Sequence, residues 1–175
     1  MDPLLAVSRL PKLAERAMRA SVLHALEHGR ITPRGVINEA LVRFERDVQS
    51  EAPDGVRPAL LFSERDRIVR ELRSFIDGRL AARLAALRHR DILSTASRSA
   101  PFDAIVRNRF GHAYGIVLRR LPPDGTRLDV IRRIATATQR YSKVPLRGTL
   151  LYDLASGSAR LIREAPAAPA RRSVA

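Results

Sequence analysis

The chain has 175 residues, 45% of them hydrophobic, with 32 basic against 18 acidic side chains and a formal net charge of +14. That length and apolar content suit one compact domain with a sizeable core, and the charge favours a polyanionic partner such as nucleic acid or an anionic surface. With no cysteine in the chain, disulfides, thiolate metal sites and cysteine nucleophiles are excluded.

The N-terminal "MDPLLAVSRLPKLAERAMRA" scatters charges through its apolar residues, and no apolar run is long enough to span a bilayer. The expectation is a cytoplasmic protein with no membrane partner. A first helix is predicted over "LPKLAERAMRASVLHALEH", with Leu13, Ala17, Ala20, Leu23 and Leu26 on one face and Gly29 as its stop. His24 and His28 fall four apart on this helix, the spacing that can seat a metal ion. No third ligand is evident from the pattern, so a solvated polar face is the reading adopted, and His89 and His112 stand alone.

A second helix, "ITPRGVINEALVRFERDV", has Thr32 as N-cap and Pro33 at its first position, with Val36, Ile37, Ala40, Leu41 and Phe44 as its apolar stripe. After the loop "QSEAPDGVRP", a long third helix is expected to open at the capping pattern Ser63-x-x-Asp66. Its stripe runs through Ile68, Val69, Leu72, Phe75, Ile76, Leu80, Leu84 and Leu87, with a kink at Gly78.

The second half changes character. "PFDAIVRNRFGHAYGIVLRR" alternates apolar and polar residues on both sides of a glycine-containing turn and reads as a β-hairpin. A turn at "LPPDGT", a helix "RLDVIRRIATATQRY" capped by Thr126, and a strand pair from "RGTLLYDL" and "ARLIR" follow. The order is three helices, two strands, a helix and two strands. Residues 1–163 are expected to form a single domain, mainly helical over 1–90 with the sheet core in 101–163, and residues 164–175 a disordered tail. Residues 101–175 hold 14 basic and 5 acidic side chains, so most of the excess charge follows the hairpin. Thirty of the 32 cations are arginines, which suits forked phosphate contacts and equally reflects what a GC-rich genome encodes.

Three stretches together resemble the RecB-like nucleases of the PD-(D/E)XK superfamily. "RGVINEALVRF" is similar to that family's opening helix with glycine, histidine and glutamate; the hairpin resembles the one that carries its metal-binding aspartate and acid-x-lysine pair; "TQRYSKVPLRGTLLYDL" is similar to its glutamine-and-tyrosine helix and following strand. The resemblance runs from Thr32 to Arg163 and implies an α+β fold: a restriction-endonuclease-like mixed β-sheet core flanked by helices, with an N-terminal helical portion. Position by position, it puts Asp103 at the metal-binding aspartate and Glu39 at the glutamate of the first helix, with Asn38 in place of histidine. Arg119 stands where the family has lysine and Val117 where it has the second acid, while Gln139 and Tyr141 are two apart rather than four.

Phosphodiester hydrolysis in this superfamily needs two carboxylates converging on Mg²⁺ and a cation that handles the attacking water. Valine cannot ligate a metal, and a guanidinium stays charged and cannot relay a proton. Asp103, Glu39 and Arg119 are therefore the catalytic candidates, with Asp103 and Glu39 as the metal ligands, only if a carboxylate from another element completes the site; Asp129 and Asp153 are further candidates. Their plainer readings are a helix-capping Asp129, a solvated Glu39 and an Asp153 that ends a strand. Asp103 has a second reading of its own, an ion pair with Arg119 across the hairpin.

The expected function is nucleic-acid binding, with DNA the expected partner in DNA processing or repair, on a nuclease-like fold without catalysis. The phosphate-binding candidates are Arg107, Arg109, Arg119, Arg120, Arg132, Arg133, Arg140, Lys143 and Arg147. An active Mg²⁺-dependent nuclease with a relocated acid is one alternative; a non-enzymatic subunit that meets a protein partner or a second copy of itself is the other. Aromatic residues make up 5% of the chain and tryptophan is absent, so phosphate contact is expected to dominate over base stacking.

Overall fold

The computed structural model describes residues 3–29, 31–51, 56–86, 91–95, 100–122 and 127–163. The predicted Thr126 cap, Leu87, His89 and the tail from 164 lie outside these residues. The N-terminal half supplies α1 (Pro3–Glu27), α2 (Pro33–Glu51), α3 (Pro58–Ile76) and α4 (Arg79–Ala85). The sheet is formed by β1 (Ile92–Thr95), β2 (Ala104–Arg107), β3 (Ala113–Arg119), β4 (Leu146–Asp153) and β5 (Ser158–Ile162), with α5 (Arg127–Tyr141) between β3 and β4.

Several helix boundaries follow local chemistry. Gly29 sits at φ +64°, a left-handed conformation that ends α1 where the sequence predicts. Pro33 opens α2, and the Thr32 carbonyl accepts from Val36 N at 3.0 Å. Others differ from expectation. Helix α1 begins at Pro3 and runs through Pro11, because packing of Leu13, Ala14, Ala17 and Met18, all buried, outweighs one missing amide. Helix α3 begins at Pro58, not at Ser63; proline at the first turn lacks only an amide that would have no helical partner there. At Gly78 the helix ends rather than bends, and α4 starts afresh with Gly78 as an extended N-cap.

The five strands lie in the order β1-β2-β3-β4-β5. The predicted hairpin is β2 against β3, antiparallel, with Ala104 opposite Ile116 and Arg107 opposite Ala113. Strands β3 and β4 are parallel, so α5 returns along the sheet between them. Strand β5 is antiparallel to β4, and β1 to β2. The short β1 was not expected from sequence: four residues give too little alternation to read.

Strand alternation sorts the core into two layers. Ala104, Val106, Ile116, Leu118 and Tyr152 pack with α1 to α4 in one buried cluster. Ile105, Val117 and Leu151 face the other way and pack with Phe102, Leu121 and Ile131 of α5. The protein is thus an α+β fold with helices on both faces of a mixed sheet.

Helix α5 lies close over β3 because residue 115 is glycine. A Cβ there would come within 2.6 Å of Thr138 Cγ2, itself buried. Gly115→Ala is expected to lower stability by about 1–3 kcal/mol through overpacking, read as a lower denaturant midpoint at unchanged slope. A neutral substitution would contradict this seat for α5.

Candidate nucleic-acid interface

The charged side chains fall into two groups. Where β3 and β4 end, carboxylates and arginines are buried together. Asp103, fully buried, precedes β2, and its amide donates to the Ile116 carbonyl at 2.8 Å. Its Oδ1 accepts from Arg19 Nε at 2.6 Å, and its Oδ2 accepts from Leu118 N at 2.6 Å and from an Arg119 terminal nitrogen at 3.1 Å. The hairpin pair of Asp103 and Arg119 is therefore present, with Arg19 of α1 as a second cation. Burial, with Arg19 nearby, lowers the Arg119 guanidinium from its ordinary value, and the Asp103 carboxylate opposes that shift.

The same knot extends outward. Arg120 Nε donates to buried Glu71 of α3 at 2.8 Å, and Arg120 also reaches the Pro11 carbonyl at 3.1 Å. Asp153, buried at the end of β4, accepts from Leu121 N, Ala155 N, Ser156 Oγ and Arg127, as a residue closing a strand before a turn does. Asp129 is exposed in the first turn of α5. Glu39 accepts from Arg43 one turn along α2 at 2.7 Å, so Glu39 and Asp103 are engaged in separate ion pairs. Val117 is fully buried in the α5 layer.

Glu15 belongs to this region, 3.9 Å from Arg119. Burial raises its carboxyl above the ordinary value, and Arg119, the Arg120 amide and Arg19 only partly oppose that. A carboxyl that holds its proton more tightly folded than unfolded stabilises the fold at low pH, and this contribution is lost as pH rises through its folded value. Glu15→Gln removes the titration. The variant is therefore expected to gain stability relative to the parent as pH rises above the ordinary glutamate range, about 4, followed by denaturant midpoints; a difference constant with pH would contradict it.

The other charge group is free. Arg107, Arg109, Arg132, Arg133, Arg140, Lys143 and Arg147 are all exposed, and among the described residues none of them pairs with a carboxylate. Three of them line an open groove of about 650 Å³ on the outer side of α5: Arg132, Arg133 and Arg140, with Thr136, Tyr141 and Pro101. Arg132, Thr136 and Arg140 share a stripe by their four-residue spacing. Tyr141 is 54% exposed and braced edge-on by Phe102, with ring centroids 5.9 Å apart.

From the end of α5 the chain passes Lys143 and enters β4, whose Leu146 lies beside Ala113 at the hairpin tip. There Arg147 meets His112 Nε2 at 3.3 Å. The tip is shaped by Asn108, whose Oδ1 accepts from Phe110 N and His112 N, each at 3.0 Å. Arg109 stacks over the exposed Phe110 ring at 4.7 Å.

Of the nine candidate phosphate contacts, seven are thus free and two, Arg119 and Arg120, are committed to internal carboxylates. Arg19 and Glu15 were missed from the sequence, since they sit on a helix remote from the hairpin and carry no local signal. Thr136 was not singled out from the sequence. Comparison with family models, curated proteins and solved structures finds no match. Among the described residues no helix is long and apolar enough to cross a membrane.

Proposed function

We propose that this chain binds nucleic acid through its phosphates, on a scaffold like that of the RecB-like nucleases, without hydrolysing it. The observation that carries the reading is the α5 groove: Arg132, Arg133 and Arg140 converge on an open surface with no carboxylate in its lining. Among the described residues, the less exposed Arg19, Arg119, Arg120 and Arg127 are each paired with an acid. Unpaired guanidinium groups on one helix face, beside a hydroxyl and an exposed ring, match a phosphate backbone with an adjacent base or sugar. The hairpin followed by a helix and a parallel strand agrees with the order that the resemblance implies.

The lack of hydrolysis follows from donor chemistry. A Mg²⁺ ion at Asp103 would need carboxylate lone pairs that Arg19, Arg119 and Leu118 N already occupy. Glu39 is engaged by Arg43, and Val117 offers no donor. As arranged, these residues do not fit the ion, and the two arginines supply the charge neutralisation that it would bring.

The test is titration of a labelled DNA duplex with the full chain at several salt concentrations, repeated with Mg²⁺ or Mn²⁺. Binding should weaken with a log–log slope of roughly −0.9 per phosphate contacted, and the duplex should stay intact. Binding that is absent or indifferent to salt would overturn the proposal, and cleavage that needs the metal would replace it with the hydrolytic reading.

A further inference from the structure

The end of α1 carries a second constellation, on a different part of the molecule from the α5 groove. His24, Glu27 and His28 are exposed, and each offers one ligand atom within 4.8 Å of the others. Spacings of three and four residues put all three on one helical face. The pattern expected from sequence, two histidines without a third ligand, is corrected by Glu27, which lies between them.

Two further contacts orient these ligands. His28 Nδ1 lies 2.8 Å from the His24 carbonyl. A carbonyl can only accept, so Nδ1 carries the hydrogen and the lone pair of Nε2 is left available to a metal. The same carbonyl also accepts from the His28 backbone amide at 3.2 Å. Glu27 Oε1 accepts from Thr95 Oγ1 of β1 at 2.7 Å, which fixes the carboxylate and leaves its second oxygen to coordinate. The His24 and His28 rings are neighbours, with centroids 4.2 Å apart. The partial negative charge at a helix C-terminus adds a field that favours a cation.

We propose that His24, Glu27 and His28 form a three-ligand site for a borderline divalent metal ion of the zinc class, with one coordination position open. Two imidazoles and a carboxylate are the donor set that such ions prefer over the all-oxygen shell of Mg²⁺ or Ca²⁺. Small rotations of exposed side chains bring ligand atoms from their present separation to the roughly 3.3 Å edge of a tetrahedral zinc shell. Through Glu27 and Thr95 the bound ion would tie the end of α1 to the edge strand of the sheet.

The experiment is calorimetric titration of the full chain, free of any histidine tag, with Zn²⁺, paired with Co²⁺ titration read by visible absorption. One saturable Zn²⁺ site per chain and an intense tetrahedral Co²⁺ band are expected. The combined His24→Gln and His28→Gln variant should lose at least about a hundred-fold in affinity, Glu27→Gln should lose affinity too, and Thr95→Val about ten-fold. All four positions are on the surface or at a sheet edge, and circular dichroism checks that each variant is folded. No saturable binding by the parent chain, or equal binding by the double-histidine variant, would overturn the site. An unaltered affinity in Glu27→Gln would overturn its third ligand.

Discussion

Asp103→Ala is expected to destabilise the protein by about 3–5 kcal/mol, the cost of removing one side of a buried ion pair. The substitution strips the partner from Arg19 and Arg119, whose side chains are 22% and 17% exposed, and leaves Leu118 N without its acceptor. A loss of that size is a large share of a typical folding free energy. Asp103→Asn should fall between the two, because the amide oxygen still accepts from Leu118 while the charge is gone. Denaturant midpoints at constant slope measure this. A change below about 1 kcal/mol, the range of exposed pairs, would mean that the carboxylate is not a structural partner of the arginines. The expectation also bears on assays of activity, since a loss of function in Asp103→Ala has to be separated from its loss of stability.

The sequence made the hairpin and α5 legible because each has a local signature: alternation around a turn for one, the "LPPDGT" turn before the helix for the other. Helix α5 spans the predicted residues, and Gly29 ends α1 because only its backbone takes the left-handed turn without strain. The start of α3 was misread since Ser63 and Asp66 imitate a cap, whereas Pro58 permits an earlier start that tertiary packing rewards. Strand β1 exists through its pairing with β2, a contact that four residues do not announce.

The candidate site divides in the same way. Arg132, Arg133 and Arg140 could be named from the sequence as cations of a predicted helix. Nothing local distinguishes them from Arg119 and Arg120, which the fold spends on Asp103, Glu15 and Glu71. Whether an arginine is free depends on which carboxylate the fold brings beside it, and for Asp103 one partner comes from 84 residues away. The metal-ligating candidate differs: His24, Glu27 and His28 are adjacent in sequence, so helix geometry alone could have supplied the third ligand.

The proposed function requires the α5 groove to be the phosphate-binding surface rather than a by-product of an arginine-rich composition. The direct test compares two variants with the same loss of charge: Arg132, Arg133 and Arg140 all changed to Ala, and Arg34, Arg70 and Arg73 all changed to Ala. The second set is exposed on α2 and α3, which pack on the opposite face of the sheet from α5. Affinity for a labelled duplex is measured across a salt series. The groove variant should bind about a hundred-fold more weakly at moderate salt, with a log–log slope flatter by roughly 2.7 for three lost phosphate contacts. The control should stay within about threefold of the parent, as expected for distant, screened charges. Equal losses in the two variants would contradict the account.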